Sequence, residues 1–185
     1  QTIAEMLERP TADKVTTALL AKQLQVSEAA LYRHFASKAQ MYEGLIEFIE
    51  NGVFSVITQI EAAEESGLKQ AEAMVASLLR FAQKNRGLTR VLIDDALVNE
   101  DDRLQARINQ LLDRVEAALK QALRIAATSN ELPQGEDAAA AANLCLCYVI
   151  GRWHLFVKSG FAREPMEQWP QQWPMLLAGC LSQPA

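Results

Sequence analysis

The chain has 185 residues, and 18 Lys and Arg against 23 Asp and Glu give it a net charge of −5 with both histidines neutral. Half of the residues are apolar and 22% are charged, which supplies enough apolar surface for a buried core and excludes a disordered chain. Residues 138–150 form the most apolar stretch, but it contains Asn143 and is followed by Gly151, so we expect it to be too short to span a bilayer.

Three cysteines and two histidines, with no pair at metal-ligand spacing, predict neither a disulfide framework nor a metal site. We expect no cofactor, and reduced thiols in a cytoplasmic protein. The chain begins with Gln1 and shows no secretory pattern, so we expect it to start inside a longer protein.

Helical periodicity runs through the whole chain. Apolar residues recur at spacings of three and four, and no convincing β run is present. We expect a first helix that ends before Pro10, a second that begins at Thr16 and a third capped by Ser27. Ser37 and Gln40 fit a capping box at the start of a long fourth helix that ends near residue 60. Gly87 is predicted to be a left-handed helix cap. The later helices are predicted at 68–83, 88–98, 101–127, 137–158 and 166–181.

Residues 16–35 have the form of a helix-turn-helix, with two short helices around a tight turn. Ala21 is small where the second helix is expected to cross the first. The side chains expected to face inward and fix the crossing angle are Leu20, Leu24, Val26, Leu31 and Phe35.

The exposed face of the second of these helices suits a DNA groove. Its two small alanines permit close approach to the major groove and contact with thymine methyl groups. Between residues 14 and 42, four basic side chains against one acidic give a local charge of +3, so the rest of the chain carries −8. A plain helical hairpin in an all-α protein is the alternative. The predicted DNA-binding residues are Thr16, Thr17, Ser27, Glu28, Ala29, Ala30, Tyr32, Arg33, His34, Ser37 and Lys38.

The string Leu-Tyr-Arg-His-Phe at 31–35, followed by Ala-Ser-Lys at 36–38, resembles the DNA-binding end of the tetracycline-repressor (TetR) family. The resemblance implies an all-α, TetR-like fold. Residues 1–37 would form an N-terminally truncated three-helix DNA-binding domain, and residues 38–185 a helical core and dimerisation domain. Tyr32 and Lys38 match the tyrosine and the lysine that contact the DNA backbone in this family. Gln25 stands where the family usually has glycine. Glycine is usual there because the turn tends to need a positive φ, and a residue other than glycine costs roughly 1 kcal/mol in that conformation.

Four longer stretches, at 27–35, 45–50, 87–92 and 102–111, are similar to the nucleoid-occlusion factors of this family. That resemblance implies a nucleoid-associated homodimer that binds many chromosomal sites and, when bound to DNA, antagonises assembly of the division GTPase FtsZ. In those proteins the FtsZ tail lies between the fourth and fifth helices. Val56 stands where enteric relatives often have arginine, which bears on the strength of tail binding. The residues predicted to line this groove are Phe48, Gly52, Val53, Val56, Ser77, Arg80, Phe81, Lys84 and Asn85.

The last two predicted helices are too apolar to remain exposed, which predicts a four-helix homodimer interface and a pseudo-palindromic DNA site. Packing of this stripe within one chain is the alternative. The predicted interface residues are Tyr148, Arg152, Leu155, Trp169, Trp173 and Leu177.

A ligand-responsive repressor that acts at a local operator is the alternative function. Its small-molecule pocket would be lined by Met74, Tyr148, Trp153, His154 and Phe156, although aromatic residues at helical spacing are more often core. We expect no enzymatic activity, because the sequence has no nucleophile–base pair and no glycine-rich phosphate loop.

Overall fold

The computed structural model describes residues 2–8, 17–23, 25–97, 100–132 and 137–180. Within these ranges the chain forms nine α-helices and no β-strand, so the all-α prediction is confirmed for the part of the chain that is described. The helices are α1 (Thr2–Leu7), α2 (Thr17–Gln23), α3 (Glu28–His34), α4 (Lys38–Ala63), α5 (Gly67–Lys84), α6 (Arg86–Leu92), α7 (Asp102–Thr128), α8 (Ala138–Lys158) and α9 (Trp169–Cys180).

The long helices begin at polar caps. The Gln40 amide donates to Ser37 Oγ at 3.2 Å, so Ser37 caps α4 as predicted. The side-chain oxygen of Gln40 accepts from the Ala36 amide instead of the Ser37 amide, so the reciprocal half of the capping box is shifted by one residue. Asp101 and Asp137 cap α7 and α8 through their carboxylates.

Helices α5, α7 and α8 form the centre of the core. The inner face of α5 is almost completely buried against the other two helices. A Cβ atom on Gly67 would lie 2.2 Å from the Ala122 carbonyl oxygen, so only glycine permits this approach of α5 to α7. The Trp153 indole donates its Nε1 hydrogen to the Leu78 carbonyl at 3.2 Å, which satisfies the polar atom of a buried ring.

Glu131, in the segment after α7, fastens that segment to the start of α5. Its carboxylate accepts from the Ser66 hydroxyl and from the amides of Gly67 and Leu68, the latter two at 3.2 and 3.1 Å. These bonds, led by the one from Ser66, hold the pKa of the Glu131 carboxyl below its ordinary value.

Helix α8 corrects the expectation about membrane length. It has 21 residues and is long and apolar enough, by length and composition alone, to cross a bilayer. Its Ala142, Val149 and Trp153 pack into the core, however. Since core helices of soluble proteins pass the same test of length and composition, that test alone does not indicate a membrane span.

Helix α6 is shorter than predicted, and the prediction for Gly87 is wrong. The helix ends at Leu92, and Gly87 lies inside it without a positive φ. Gly87 allows α1 to approach, because a Cβ there would lie 1.8 Å from the Ala4 carbonyl oxygen. Arg90 on the same helix donates to the Leu7 carbonyl at 3.4 Å. Helix α6 thus anchors α1, and with it the N-terminal helices, to the body.

The turn of the helix-turn-helix has the geometry that the sequence predicts. Gln25 has a φ of 56°, as the glycine usual at that position predicts, and Ala21 is buried. The Val26 amide donates to the Ala21 carbonyl at 3.0 Å and closes the turn. The expectation that Val26 and Phe35 face inward is wrong, since both are exposed. The side chains of Leu20, Leu24 and Leu31 lie outside the described residues.

Candidate nucleic-acid interface and partner groove

Helix α3 presents its N-terminal half to solvent. Ser27 Oγ accepts from the Ala30 amide at 3.1 Å, which confirms its predicted role as the cap. Glu28 and Ala29 are exposed, and Ala30 is half-buried. Glu28 accepts from the Thr17 hydroxyl at 3.0 Å, so α2 and α3 are joined across the turn and the two predicted DNA-binding side chains restrain each other.

The remaining predicted DNA-binding side chains lie around this face. Tyr32 and Arg33 are exposed on α3, and Ser37 is exposed at the start of α4. An exposed phenol and an exposed guanidinium are groups of the kind that donate to phosphate oxygens and to base edges in protein–DNA contacts. Thr16 and the side chain of His34 lie outside the described residues.

Lys38 forms an ion pair with another residue of its own chain, which the sequence did not predict. Its ammonium group forms an ion pair with Glu100, in the segment between α6 and α7. It also lies 5.6 Å from the centre of the Tyr42 ring. Burial, followed by the Glu100 charge, raises the pKa of Tyr42 to about 12, so the phenol stays protonated beside this pair. Lys38 must leave Glu100 before it can contact a phosphate.

The predicted groove residues lie on α4 and α5, which pack against each other, and at Asn85 directly after α5; we call the surface that they form the partner groove. Gly52 faces Phe81, and a Cβ on Gly52 would lie 3.6 Å from the Phe81 ring. Phe48 exposes 61% of its surface one turn before Gly52, and Val56 is exposed one turn after it. Apolar side chains exposed along one groove are typical of a surface that binds another chain.

Polar groups border the partner groove on α5. Arg80 and Lys84 are exposed one turn apart. The side-chain amide of Asn85 donates to the Phe81 carbonyl oxygen at 2.8 Å. Ser77 is half-buried and donates to the Met74 carbonyl at 2.7 Å.

Val53 does not line the groove. It exposes only 5% of its surface and packs in the core, because it shares the inner face of α4 with Ile49 and Ile57. The prediction that placed it in the groove is therefore wrong.

The predicted dimer residues divide into two groups. Trp169 and Trp173 expose 6% each, with ring centres 5.2 Å apart, so they are core residues of their own chain and add little to an interface. Arg152 donates to the carbonyls of Glu164 and Pro165, and it holds the turn before α9.

Tyr148 is also engaged within its own chain, where it donates to Gln172 at 2.7 Å. Leu177 is half-buried, and Leu155 is exposed. The apolar surface that α8 and α9 leave uncovered instead contains Leu144 and Met175, which the sequence did not single out.

The residues suggested for a small-molecule pocket are mainly core. Met74, Trp153 and Phe156 are buried with at most 1% of their surfaces exposed. His154 lies elsewhere, at a surface cavity of about 460 Å³ that also contains Arg90 and Lys158. Sequence reasoning missed this cavity because its walls come from α6 and α8, which are far apart along the chain.

Solved structures share this fold. The fatty acid degradation regulator FadR from Bacillus halodurans superposes with a TM-score of 0.78 at 16% identity, over 96% of this chain and 94% of that one. AibR, solved in complex with isovaleryl coenzyme A and operator DNA, superposes with a TM-score of 0.71 at 15% identity, over 96% and 98%. At such identities the likeness shows the fold alone.

Two family models and the curated relatives are more specific. Residues 3–45 match the model described as bacterial regulatory proteins of the tetR family, and residues 65–180 match the SlmA-like, tetracyclin repressor-like C-terminal domain. The nucleoid occlusion factor SlmA of Alteromonas mediterranea is 47% identical over 94% of this chain and 89% of its own length. The SlmA of a Marinomonas species is 46% identical over 95% and 89%. The chain therefore belongs to the SlmA family of nucleoid occlusion factors, within the TetR regulators.

Proposed function

We propose that the chain is a cytoplasmic, nucleoid-associated DNA-binding protein that acts in nucleoid occlusion. It binds many chromosomal sites as a homodimer and, when bound to DNA, antagonises FtsZ assembly over the nucleoid. The observation that carries this proposal is the similarity to SlmA proteins, which extends over about 95% of the chain and includes both the N-terminal helices and the body.

The exposed end of α3 supports the DNA-binding part. Ala29 and Arg33 are free to approach base edges, while Tyr32 and Ser37 are placed for phosphate oxygens. We assign this role to residues 1–37 as one unit and the remaining functions to residues 38–185.

The uncovered face of α8 and α9 supports a homodimer. Leu144 and Leu155 are exposed on one side of α8, Gly151 lies between them with open space above it, and Met175 exposes 69% of its surface on α9. Two copies of this face, related by a two-fold axis, bury apolar surface against each other. The paired α3 helices would then meet successive major grooves, about 34 Å apart.

The partner groove supports the FtsZ part of the proposal. An extended tail would find the exposed Phe48 ring, Gly52 and the exposed Val56 at successive turns of α4, with the exposed cations Arg80 and Lys84 on α5.

Mapping the chromosomal sites of the protein by crosslinking and sequencing tests the proposal. We expect tens of scattered pseudo-palindromic sites that are sparse around the replication terminus. One or two sites beside a neighbouring gene would overturn it in favour of a local, ligand-responsive repressor.

FtsZ sedimentation tests the FtsZ part separately. We expect the DNA-loaded dimer to reduce the amount of polymerised FtsZ, and Phe48→Ala to remove this effect without changing DNA affinity. An unchanged amount of polymer with the unsubstituted protein would overturn this part alone.

A further inference from the structure

The surface cavity of about 460 Å³ lies between two segments that are far apart along the chain. One wall is formed by α6 and the turn after it, from residues 90–95, and the other by α8 and its following turn, from residues 154–161. The volume falls within the range of about 300–1,000 Å³ found for ligand pockets. The buried side chains of Met74 and Trp153 do not line the cavity, so its own lining defines what it can bind.

The two walls carry opposite charges that no described residue neutralises. Asp94 lies on the α6 wall, and the neighbour of its carboxylate, at 2.6 Å, is the neutral side-chain amide of Gln105. His154 and Lys158 lie one turn apart on the α8 wall, and neither side chain forms an ion pair or a hydrogen bond with a described residue. A simple anion or a simple cation would therefore satisfy only one wall.

The other two charged groups of the lining are already matched. Arg90 and Asp95 form an ion pair with each other. Arg90 also donates to the Leu7 carbonyl at 3.4 Å, so it takes part in holding α1. The charges left for a ligand are the Asp94 carboxylate on one wall and the groups of His154 and Lys158 on the other.

Most of the remaining lining is apolar, and its aromatic ring is fixed by packing. Ile93 and Val157 contribute from the two walls, and Phe161 from the turn after α8. The Phe161 ring packs edge-on against Phe156 with ring centres 5.1 Å apart, and the Arg86 guanidinium lies 5.8 Å from the centre of the same ring. A preformed apolar surface of this kind suits the aliphatic part of a small ligand.

One residue on each wall has an unfavourable backbone conformation. Asp94 has a φ of 65° and Phe161 a φ of 67°, both in the left-handed region. A positive φ is uncommon outside glycine, above all for a bulky side chain, and strained residues of this kind cluster at binding sites. The fold therefore holds both lining side chains in place at a cost in backbone strain.

We propose that this cavity binds a small zwitterion of the amino-acid class. The ammonium group of the ligand pairs with Asp94, its carboxylate pairs with Lys158 and accepts from His154, and its aliphatic part packs on the apolar lining. Charge-assisted hydrogen bonds at the two ends fix the orientation of the ligand. None of these residues belongs to α3 or to the partner groove, so the proposal does not depend on DNA or FtsZ binding.

An NMR titration of the whole protein, isotope-labelled at its isoleucine δ1 methyl groups, tests the proposal. Ile93→Val identifies the signal of Ile93 by removing it. The probes are leucine and ε-aminocaproate, which differ in the distance between their charged groups. Each has a matched acid without the amino group (isocaproate and caproate) and a matched amine without the carboxylate (isoamylamine and pentylamine). We expect one amino acid to shift the Ile93 signal saturably, and its matched acid and amine to bind at least about tenfold more weakly.

Two variants assign the ends of the ligand. Asp94→Asn keeps a residue that tolerates a positive φ and should lower the affinity for the amino acid to that for its matched acid. Lys158→Gln should weaken the amino acid and the acid but leave binding of the amine unchanged. The matched controls Asp113→Asn and Lys69→Gln make the same changes at exposed positions on α7 and α5, outside the cavity, and should alter neither affinity.

Equal affinity for the amino acid and its matched acid would overturn the proposal in favour of a plain anion site. Absence of binding by both amino acids, or shifts confined to isoleucine signals other than Ile93, would overturn it outright. Equal losses in the cavity variants and the controls would also overturn it, because the effect would then come from net charge. DNA affinity measured on the same samples shows separately whether the proposed function holds.

Discussion

The ion pair between Lys38 and Glu100 should restrain DNA binding, and Glu100→Gln should release that restraint. The Lys38 and Glu100 side chains are 21% and 11% exposed, so solvent screens their attraction less than that of an ordinary surface pair. We therefore assign about 1 kcal/mol, the upper end for exposed pairs. This equals roughly a fivefold gain in affinity per subunit, and about 25-fold for a dimer that places both lysines on phosphates.

A double-mutant cycle measured by DNA binding checks the reasoning. Lys38→Ala should weaken binding to all sequences alike and should lower the salt dependence by about 0.9 for each phosphate that is no longer neutralised. In that background Glu100→Gln should have no further effect. The matched control Asp102→Asn removes a nearby exposed charge and should change affinity less than twofold. If Glu100→Gln strengthens binding equally with and without Lys38, Glu100 merely repels DNA and the argument is refuted.

Three further predictions concern stability and are checked by urea unfolding. Gly87→Ala should destabilise the fold by about 1–3 kcal/mol, because its Cβ would overlap the Ala4 carbonyl. Gly44→Ala should stabilise α4 by up to about 1 kcal/mol, because alanine favours a helix interior and its Cβ would meet no other atom. Equal effects of the two would contradict the packing of α1 on α6. Gln25→Gly should stabilise the turn by about 1 kcal/mol, since its φ of 56° favours glycine, and a loss of stability would show that the side chain matters more. Glu131→Gln should destabilise the fold at pH 7. Because the folded pKa of Glu131 is lowered, its contribution is present above the ordinary value of 4.5 and is lost as the pH falls through the lowered pKa. The difference in stability between variant and unsubstituted protein should therefore shrink as the pH falls below 4.5, and a constant difference would refute the assignment.

Local signals in the sequence predicted the helices and their caps. Ser27 and Ser37 lie three residues before the amides that they cap, so their effect depends on close neighbours in the sequence. Gln25 was predictable for the same reason, because turn geometry is a local property. The recognition motif and the charge around it likewise come from one continuous stretch.

Contacts between distant segments were not predictable. Lys38 and Glu100 are 62 residues apart, and nothing in either neighbourhood indicates the pair. Gly87 looked like a helix end because glycine serves both left-handed caps and close helix contacts, and only the position of α1 distinguishes these uses. Trp169 was assigned to a surface because an apolar helical stripe does not reveal which side another helix covers. Val53 was assigned to the groove by resemblance to the family, and the resemblance does not specify that this side chain is turned into the core.

Helix α4 begins four residues after the end of α3 and continues as one side of the partner groove, so a single helix joins the two surfaces. Its 26 residues measure about 39 Å at 1.5 Å per residue. Near its middle Glu50 accepts from Arg107 of α7 at 2.6 Å, which fixes the middle of α4 to the body. A tilt of about 5° at this contact would move the N-terminal end of α4 by roughly 1.6 Å. The packing of α4 on α7 therefore bears directly on where the helix that precedes α4 is held relative to the body.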